Sequence, residues 1–125
     1  MLLYIHFDEE MPIYQQIKNQ IVMAIANGNL KTGEKLPPIR NLADEIGVNM
    51  MTVSKAYQLL KAEGYIITDR RSGATVSHKQ NAEKKLDKKG EEMLKMIAAE
   101  AILAGMDEQA FLDICGKLYE EVSGT

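Results

Sequence analysis

The amino-acid sequence predicts an α+β fold that is mostly α, with an N-terminal unit ending in a β-hairpin and a C-terminal unit of two helices. Three observations predict it. Apolar residues recur at intervals of three and four in five stretches, two β-rich runs flank the polar turn "DRRSG", and the texture of the chain changes near residue 79. With 125 residues, 46% hydrophobic and 26% charged, the composition is that of a globular chain with one core, or one small domain and an appendage.

In the first stretch, "MPIYQQIKNQIVMAIANG", Ile13, Ile17, Ile21, Ala24 and Ile25 share one face of an amphipathic helix. Pro12 suits its first turn and Gly28 a left-handed stop. "NLKTGEKLPP" reads as a glycine-bearing turn, after which Pro37 and Pro38 fix the approach to the next helix. That helix, in "PIRNLADEIG", turns Ile39, Leu42, Ala43 and Ile46 inward and ends at Gly47. After "GVN" a longer helix spans residues 50–63, with Val53, Ala56, Tyr57 and Leu60 on one side. Residues 65–68 and 74–77 are the expected strands of the hairpin.

From residue 79, "KQNAEKKLDKKGEE" carries dense charge of both signs and no strong core, which divides the chain into domains 1–78 and 79–125. Leu86, Met93, Ile97, Ala101 and Ala104 then approximate a helical stripe, and Gly105 breaks the chain before Asp107, a good N-cap. The last helix carries Phe111, Ile114, Cys115, Leu118 and Val122 on one side. Two isolated helices cannot bury such stripes well. Leu86, Met93, Ile97, Ala101, Phe111, Ile114 and Leu118 are therefore the expected contacts of a homodimer.

Several classes of function are disfavoured. The longest uncharged apolar stretch, "IVMAIANGNL", is too short to span a bilayer, and the N-terminus lacks the basic head of a secretory signal, so a cytoplasmic protein with no membrane partner is expected. Cys115 has no second cysteine to pair with, and with His6 and His78 far away in the chain it makes no metal-ligand spacing. Its apolar neighbours mark it as a buried structural thiol. Neither histidine has the arrangement of a nucleophile and its base, so no enzyme, metal or cofactor is expected.

Ala43, Gly47 and Val53 each have a job in two helices packed at a steep angle. Ala43 lets the second helix approach, Gly47 permits positive φ in the turn, and Val53 plugs the crossing point. An ordinary helical hairpin with a solvated face would also accept this pattern. The β-hairpin directly behind the second helix stands where a wing would, and favours a winged helix-turn-helix. With Asn49 as N-cap and itself an expected DNA contact, the free face of the second helix shows Met50, Met51, Thr52, Ser54, Lys55 and Gln58, close to the end at which base edges are read. Arg70 and Arg71, with Ser72 and Gly73 behind them, lie at the tip of the wing, free to reach a phosphate or the minor groove.

The total charge of −3 opposes a polyanionic partner. Its distribution does not. Residues 1–79 carry a net +1 and residues 80–125 a net −4, while residues 35–79 hold seven Lys/Arg against four Asp/Glu. Whole-chain charge governs solubility and steering, but phosphate contact depends on the residues that face the duplex.

"PIYQQIKNQI", "NGNLKTGEKLPPIRNLADEIGVN", "TVSKAYQLLKAEGYI" and the wing together resemble the N-terminal winged-helix domain of GntR-family transcription regulators, over residues 11–78. The short tail resembles that of the YtrA-like subfamily, which lacks a large effector domain. The resemblance implies a homodimer joined by the C-terminal helices and a bacterial repressor, often of transporter genes. It implies a phosphate contact for Arg40 and a phosphate or base contact for Thr52. The family's usual "LPS" is "LPP" here, so Pro38 removes a hydroxyl. The common Asn-Arg or Ser-Arg reads Asn49-Met50, which replaces a guanine-seeking fork by an apolar contact, for instance to a thymine methyl. Arg71 stands where a glycine is common, leaving Gly73 alone of a Gly-x-Gly pattern.

A twofold dimer would read a pseudo-palindromic double-stranded DNA operator with half-sites on the order of 34 Å apart. Met93, Met96 and Met106 fit either gap-filling core or a small-molecule effector site of unknown ligand. Two other readings stand beside DNA regulation: a protein-interaction adaptor that keeps the winged-helix fold, which exposed Met50 and Met51 would suit, and a small metabolite sensor.

Overall fold

Pro12 sets where the first helix begins. Its ring fixes φ at −56°, and its carbonyl accepts from the amides of Gln15 and Gln16, so α1 spans Ile13–Ala26. A computed structural model describes residues 3–78, 80 and 82–124. They fall into two compact units, residues 1–79 and 80–125.

In the first unit α1 is followed by α2 (Ile39–Ile46), α3 (Met50–Ala62), β1 (Ile66–Asp69) and β2 (Gly73–Val76). Pro38 opens α2 as Pro12 opens α1. Gly47, at φ 71° and ψ 40°, closes it in the left-handed region, and the amides of Gly47 and Val48 both return to the Ala43 carbonyl. Asn49 then caps α3, its side-chain oxygen accepting from the Met51 amide at 2.7 Å. Ile17 and Ile21 of α1, Leu42 and Ala43 of α2, and Val53, Ala56 and Leu60 of α3 are all buried, with Ile66 and Val76 of the hairpin closing the same core. Ala43 and Val53 thus sit as expected of residues at a close helix crossing. Each large aliphatic side chain so buried contributes roughly 1.5–3 kcal/mol.

The strands start and stop one residue away from the expected positions. Tyr65 belongs to the turn leaving α3, because its amide is taken by the Leu60 carbonyl at 2.9 Å. At the other end the Asp69–Gly73 pairing shortens the loop to Arg70, Arg71 and Ser72. The turn "NLKTGEKLPP" also does more than reverse the chain. The amides of Gly33 and Leu36 donate to the Val76 and Ala74 carbonyls, Val76 donates back to Glu34, all at 2.8 Å, and Lys35 bridges Thr75. The outer edge of β2 is thereby covered.

The N-terminal segment is held by two glutamines of α1. Gln20 accepts from the Tyr4 amide at 2.8 Å and donates to its carbonyl, and Gln16, one turn earlier, does the same with His6 at 2.8 and 2.9 Å. Two residues of extended chain advance about 6.6 Å and four residues of helix about 6 Å, so side-chain amides at i and i+4 can match alternate peptides of a chain running along the helix. Gln16 is buried and also donates to the Met11 carbonyl at 2.9 Å, which satisfies its amide.

The second unit comprises α4 (Lys88–Leu103) and α5 (Glu108–Ser123). Asp87 caps α4 through the Gly90 amide and Asp107 caps α5 through the Ala110 amide, at 2.7 and 2.8 Å. Gly105, at φ 90°, makes the turn between them. Leu86 was expected on the stripe of α4 but precedes its cap. Ala101 is the one residue of the two helices that is buried, at 8% exposure, and with Met106 and half-buried Phe111 it lines a small cavity beside the Gly105 turn. Beyond that turn α4 and α5 scarcely touch. Met93, Ile97, Ile114 and Leu118 are exposed, whereas Ala101 is buried and Phe111 half-buried within the tail.

Candidate nucleic-acid interface

The packing of α3 leaves one side of it free. With Val53, Ala56, Tyr57 and Leu60 turned to the core, the helical period puts Met51, Lys55 and Gln58 on the opposite face. Met51 is 79% exposed and Met50 less so, while Thr52 and Ser54 flank them half-buried. Gln58 donates to the Ser54 hydroxyl at 3.2 Å. A groove of about 560 Å³ gathers Met51, Thr52, Ser54, Lys55 and Gln58 together with Tyr14 of α1. The Lys55 ammonium lies over the Tyr14 ring, 4.0 Å from its centroid.

A second groove, of about 430 Å³, brings the start of α2, the outer side of α3 and the hairpin together. Pro37, Pro38 and Ile39 line it with Ser54, Gln58 and Lys61 and with Asp69 and Gly73. Arg40 follows Ile39 in the chain, and Arg70 follows Asp69. All three guanidinium-bearing residues, Arg40, Arg70 and Arg71, are exposed and form no ion pair with any described residue. Among the expected contacts, Asn49 serves the fold through its cap, and its side-chain oxygen is engaged there.

The loop that carries Arg70 and Arg71 is shaped by Asp69. Its carboxylate accepts from the Arg71 amide at 2.6 Å and from the Ser72 amide at 3.4 Å, an Asx turn. These bonds, that of Arg71 first, hold the Asp69 carboxyl below its ordinary range, with a smaller contribution from the charge of Lys35. Gly73 supplies the positive φ, 71°, that returns the chain into β2.

Tyr57 ties α3 to the segment that leads into α2. Its hydroxyl donates to the Pro37 carbonyl at 2.7 Å, and burial pushes its phenol far above the ordinary range, so it remains a donor. Tyr14 and Lys61 were absent from the residues singled out by pattern. Tyr14 sits on α1, remote in sequence, and only tertiary packing brings it beside Lys55. Among the described residues no group of acidic, histidine and cysteine side chains could hold a metal ion, and no helix is long and apolar enough to cross a membrane.

The arrangement is that of a winged helix-turn-helix DNA-binding protein: two helices crossing at a glycine turn, a free face on the second, and a hairpin with cationic tip behind it. Residues 13–76 match the family described as "Bacterial regulatory proteins, gntR family", and the chain belongs to that family of DNA-binding transcription regulators, which are not enzymes. It is 36% identical over 117 residues to the HTH-type transcriptional repressor YtrA of Bacillus subtilis, a match covering 90% of this chain and 88% of that one. A solved structure of YtrA from Sulfolobus acidocaldarius is 38% identical with a TM-score of 0.67, covering 82% of this chain and 99% of the other. A transcriptional antiterminator from Listeria monocytogenes is similar across 100% of this chain and 95% of its own, with a TM-score of 0.89 and 29% identity. The DNA-binding domain of AraR in complex with its operator ORX1 is similar over 60% of this chain and 96% of its own, at 26% identity and a TM-score of 0.55.

Proposed function

We propose that the protein is a homodimeric repressor that binds a pseudo-palindromic operator, residues 1–78 reading DNA and residues 79–125 pairing the two copies. The observation that carries this reading is the convergence of the start of α2, the outer side of α3 and the hairpin on one groove, with Arg40, Arg70 and Arg71 within two residues of its lining in the chain, exposed and unpaired among the described residues. Arg40 and Arg70 clamp phosphates, and Arg71 probes the minor groove. Met50, Met51, Thr52, Ser54 and Lys55 enter the major groove, where the two methionines favour thymine methyls over guanine. Ser72 and Gly73 hold the tip at the backbone. Dimerisation is supported by the exposed apolar residues of α4 and α5, and repression by the likeness to YtrA, which is named a repressor.

The test is fluorescence anisotropy with the duplex upstream of the protein's own coding sequence against a scrambled duplex, at two salt concentrations, with Arg40→Ala beside the wild type. Binding about a thousandfold tighter to the native duplex, weakened on both duplexes by Arg40→Ala, supports the reading. Binding to neither duplex, followed by failure of a random-sequence selection, would give first place to the protein-interaction adaptor that the exposure of Met51 also suits.

A further inference from the structure

We propose that Tyr14 is a positioning residue for DNA reading, its ring seating the ammonium of Lys55 so that α3 presents a fixed cation to the duplex. The inference rests on the DNA-binding reading above and adds α1 to the interface. Within α3 the cations are Lys55 and Lys61; Lys61 lines the groove beside the hairpin, and Lys55 is the one that lines the groove holding Met51 and Thr52. A lysine there would ordinarily sweep a wide volume on its four-carbon stem, and ordering it on contact would weaken binding. Here its ammonium already lies 4.0 Å from the centroid of Tyr14, along the groove that the two residues line with Thr52 and Ser54.

The ring orients Lys55 without consuming it. A cation over an aromatic face engages the ring on one side only, and the ammonium has three N–H donors. Lys55 remains exposed despite the contact, so its outer donors are open to a phosphate or a base acceptor. Tyr14 is half-buried against the core and sits in the first turn of α1, a rigid mount for the seat.

The experiment combines binding and NMR on the full chain, using the duplex upstream of its own coding sequence. In the free protein the Lys55 side-chain protons are expected to be shifted upfield by the ring, a shift kept in Tyr14→Phe and lost in Tyr14→Leu. Lys55→Ala should weaken binding and reduce the salt slope by about one. Tyr14→Leu should weaken binding about two- to fivefold, Tyr14→Phe should match the wild type, and Tyr14→Leu should cost nothing further in the Lys55→Ala background. An unshifted Lys55, a Tyr14→Leu variant that binds as well as or better than wild type, or losses that simply add would overturn the proposal. If Arg40→Ala weakens binding and Lys55→Ala does not, the positioning role fails while the DNA-binding reading stands. If neither weakens it, both fail.

Discussion

The hydroxyl of Tyr57 donates a 2.7 Å hydrogen bond to the carbonyl of Pro37, so the middle of α3 is fastened to the peptide that leads into α2. The bond joins the elements that carry Arg40 and the free face of α3, whose mutual angle matters if both meet one duplex as proposed. Removing the hydroxyl in Tyr57→Phe leaves the carbonyl without this donor and should cost about 1–2 kcal/mol, read from urea unfolding. The raised phenol pKa adds a signature in pH. Its stabilisation is present below the unfolded value of about 10 and is lost as pH rises above it, because the unfolded chain then releases the proton that the folded one retains. Stability of the wild type should fall more steeply above pH 10 than that of Tyr57→Phe.

Gly47 makes the turn between α2 and α3 at φ 71°, and a Cβ placed there would meet nothing within 4 Å. The expected cost of Gly47→Ala is therefore backbone strain alone, about 1–2 kcal/mol. A loss much larger than this in equilibrium unfolding would show that the turn has no room to relax, and a loss near zero would show that the left-handed conformation is not required.

Gln16 satisfies three backbone groups, the amide and carbonyl of His6 and the carbonyl of Met11. Gln16→Ala should destabilise the fold by about 1–3 kcal/mol and raise hydrogen exchange at His6 before it affects the core amides of α3. Unchanged exchange at His6 would mean that Gln20 alone suffices to hold the segment.

What could be read from the sequence was local. The crossing of α2 on α3 is written in Ala43, Gly47 and Val53, each constrained by its own neighbourhood, and the cap at Asn49 by one residue type at one position. The clasp on Tyr4 and His6 has no such mark, because a glutamine on a helix looks the same whether it faces water or another backbone. Nothing in the sequence marks Lys35 as part of the sheet, because a single bridge carries no alternation. Ala101 lay on the apolar stripe of α4 as expected, yet the period cannot say whether a stripe is covered by its own chain or by another. The cation of Lys55 was legible; its seat on Tyr14 depends on how α1 packs against α3.

The Asp69 carboxylate should report on the wing. Its hydrogen bonds from Arg71 and Ser72 keep it ionised at pH values where a free carboxylate takes up a proton. The stabilisation that the ionised carboxylate gives the loop is therefore fully present above the unfolded value, about 3.9, and is lost as pH falls through the lower folded value. Amide shifts of Arg71 and Ser72 followed by NMR should titrate together with a midpoint below 3.9. The Asp69→Asn variant should show no such step. A midpoint at or above 3.9 would mean that the turn does not hold the carboxylate in solution.

The exposed side chain of Leu118 lies near the middle of α5, a helix with no buried residue, and Ile97 occupies a comparable place on α4. Both are stranded unless something outside the two helices covers them, because α4 and α5 share little more than the packing around Ala101. If a second copy is the cover, a charge at the centre of the interface should be far more damaging than a truncation, since a buried carboxylate without a partner is strongly disfavoured. Analytical ultracentrifugation should find the wild type at twice the 14.0 kDa chain mass. Leu118→Glu should sediment as a monomer with the helical signal of residues 13–62 retained, and should bind a duplex carrying one half-site about as well as wild type while losing the advantage of two. A monomeric wild type would sever the tail from dimerisation; a dimeric Leu118→Glu would move the interface to another face of α4 or α5.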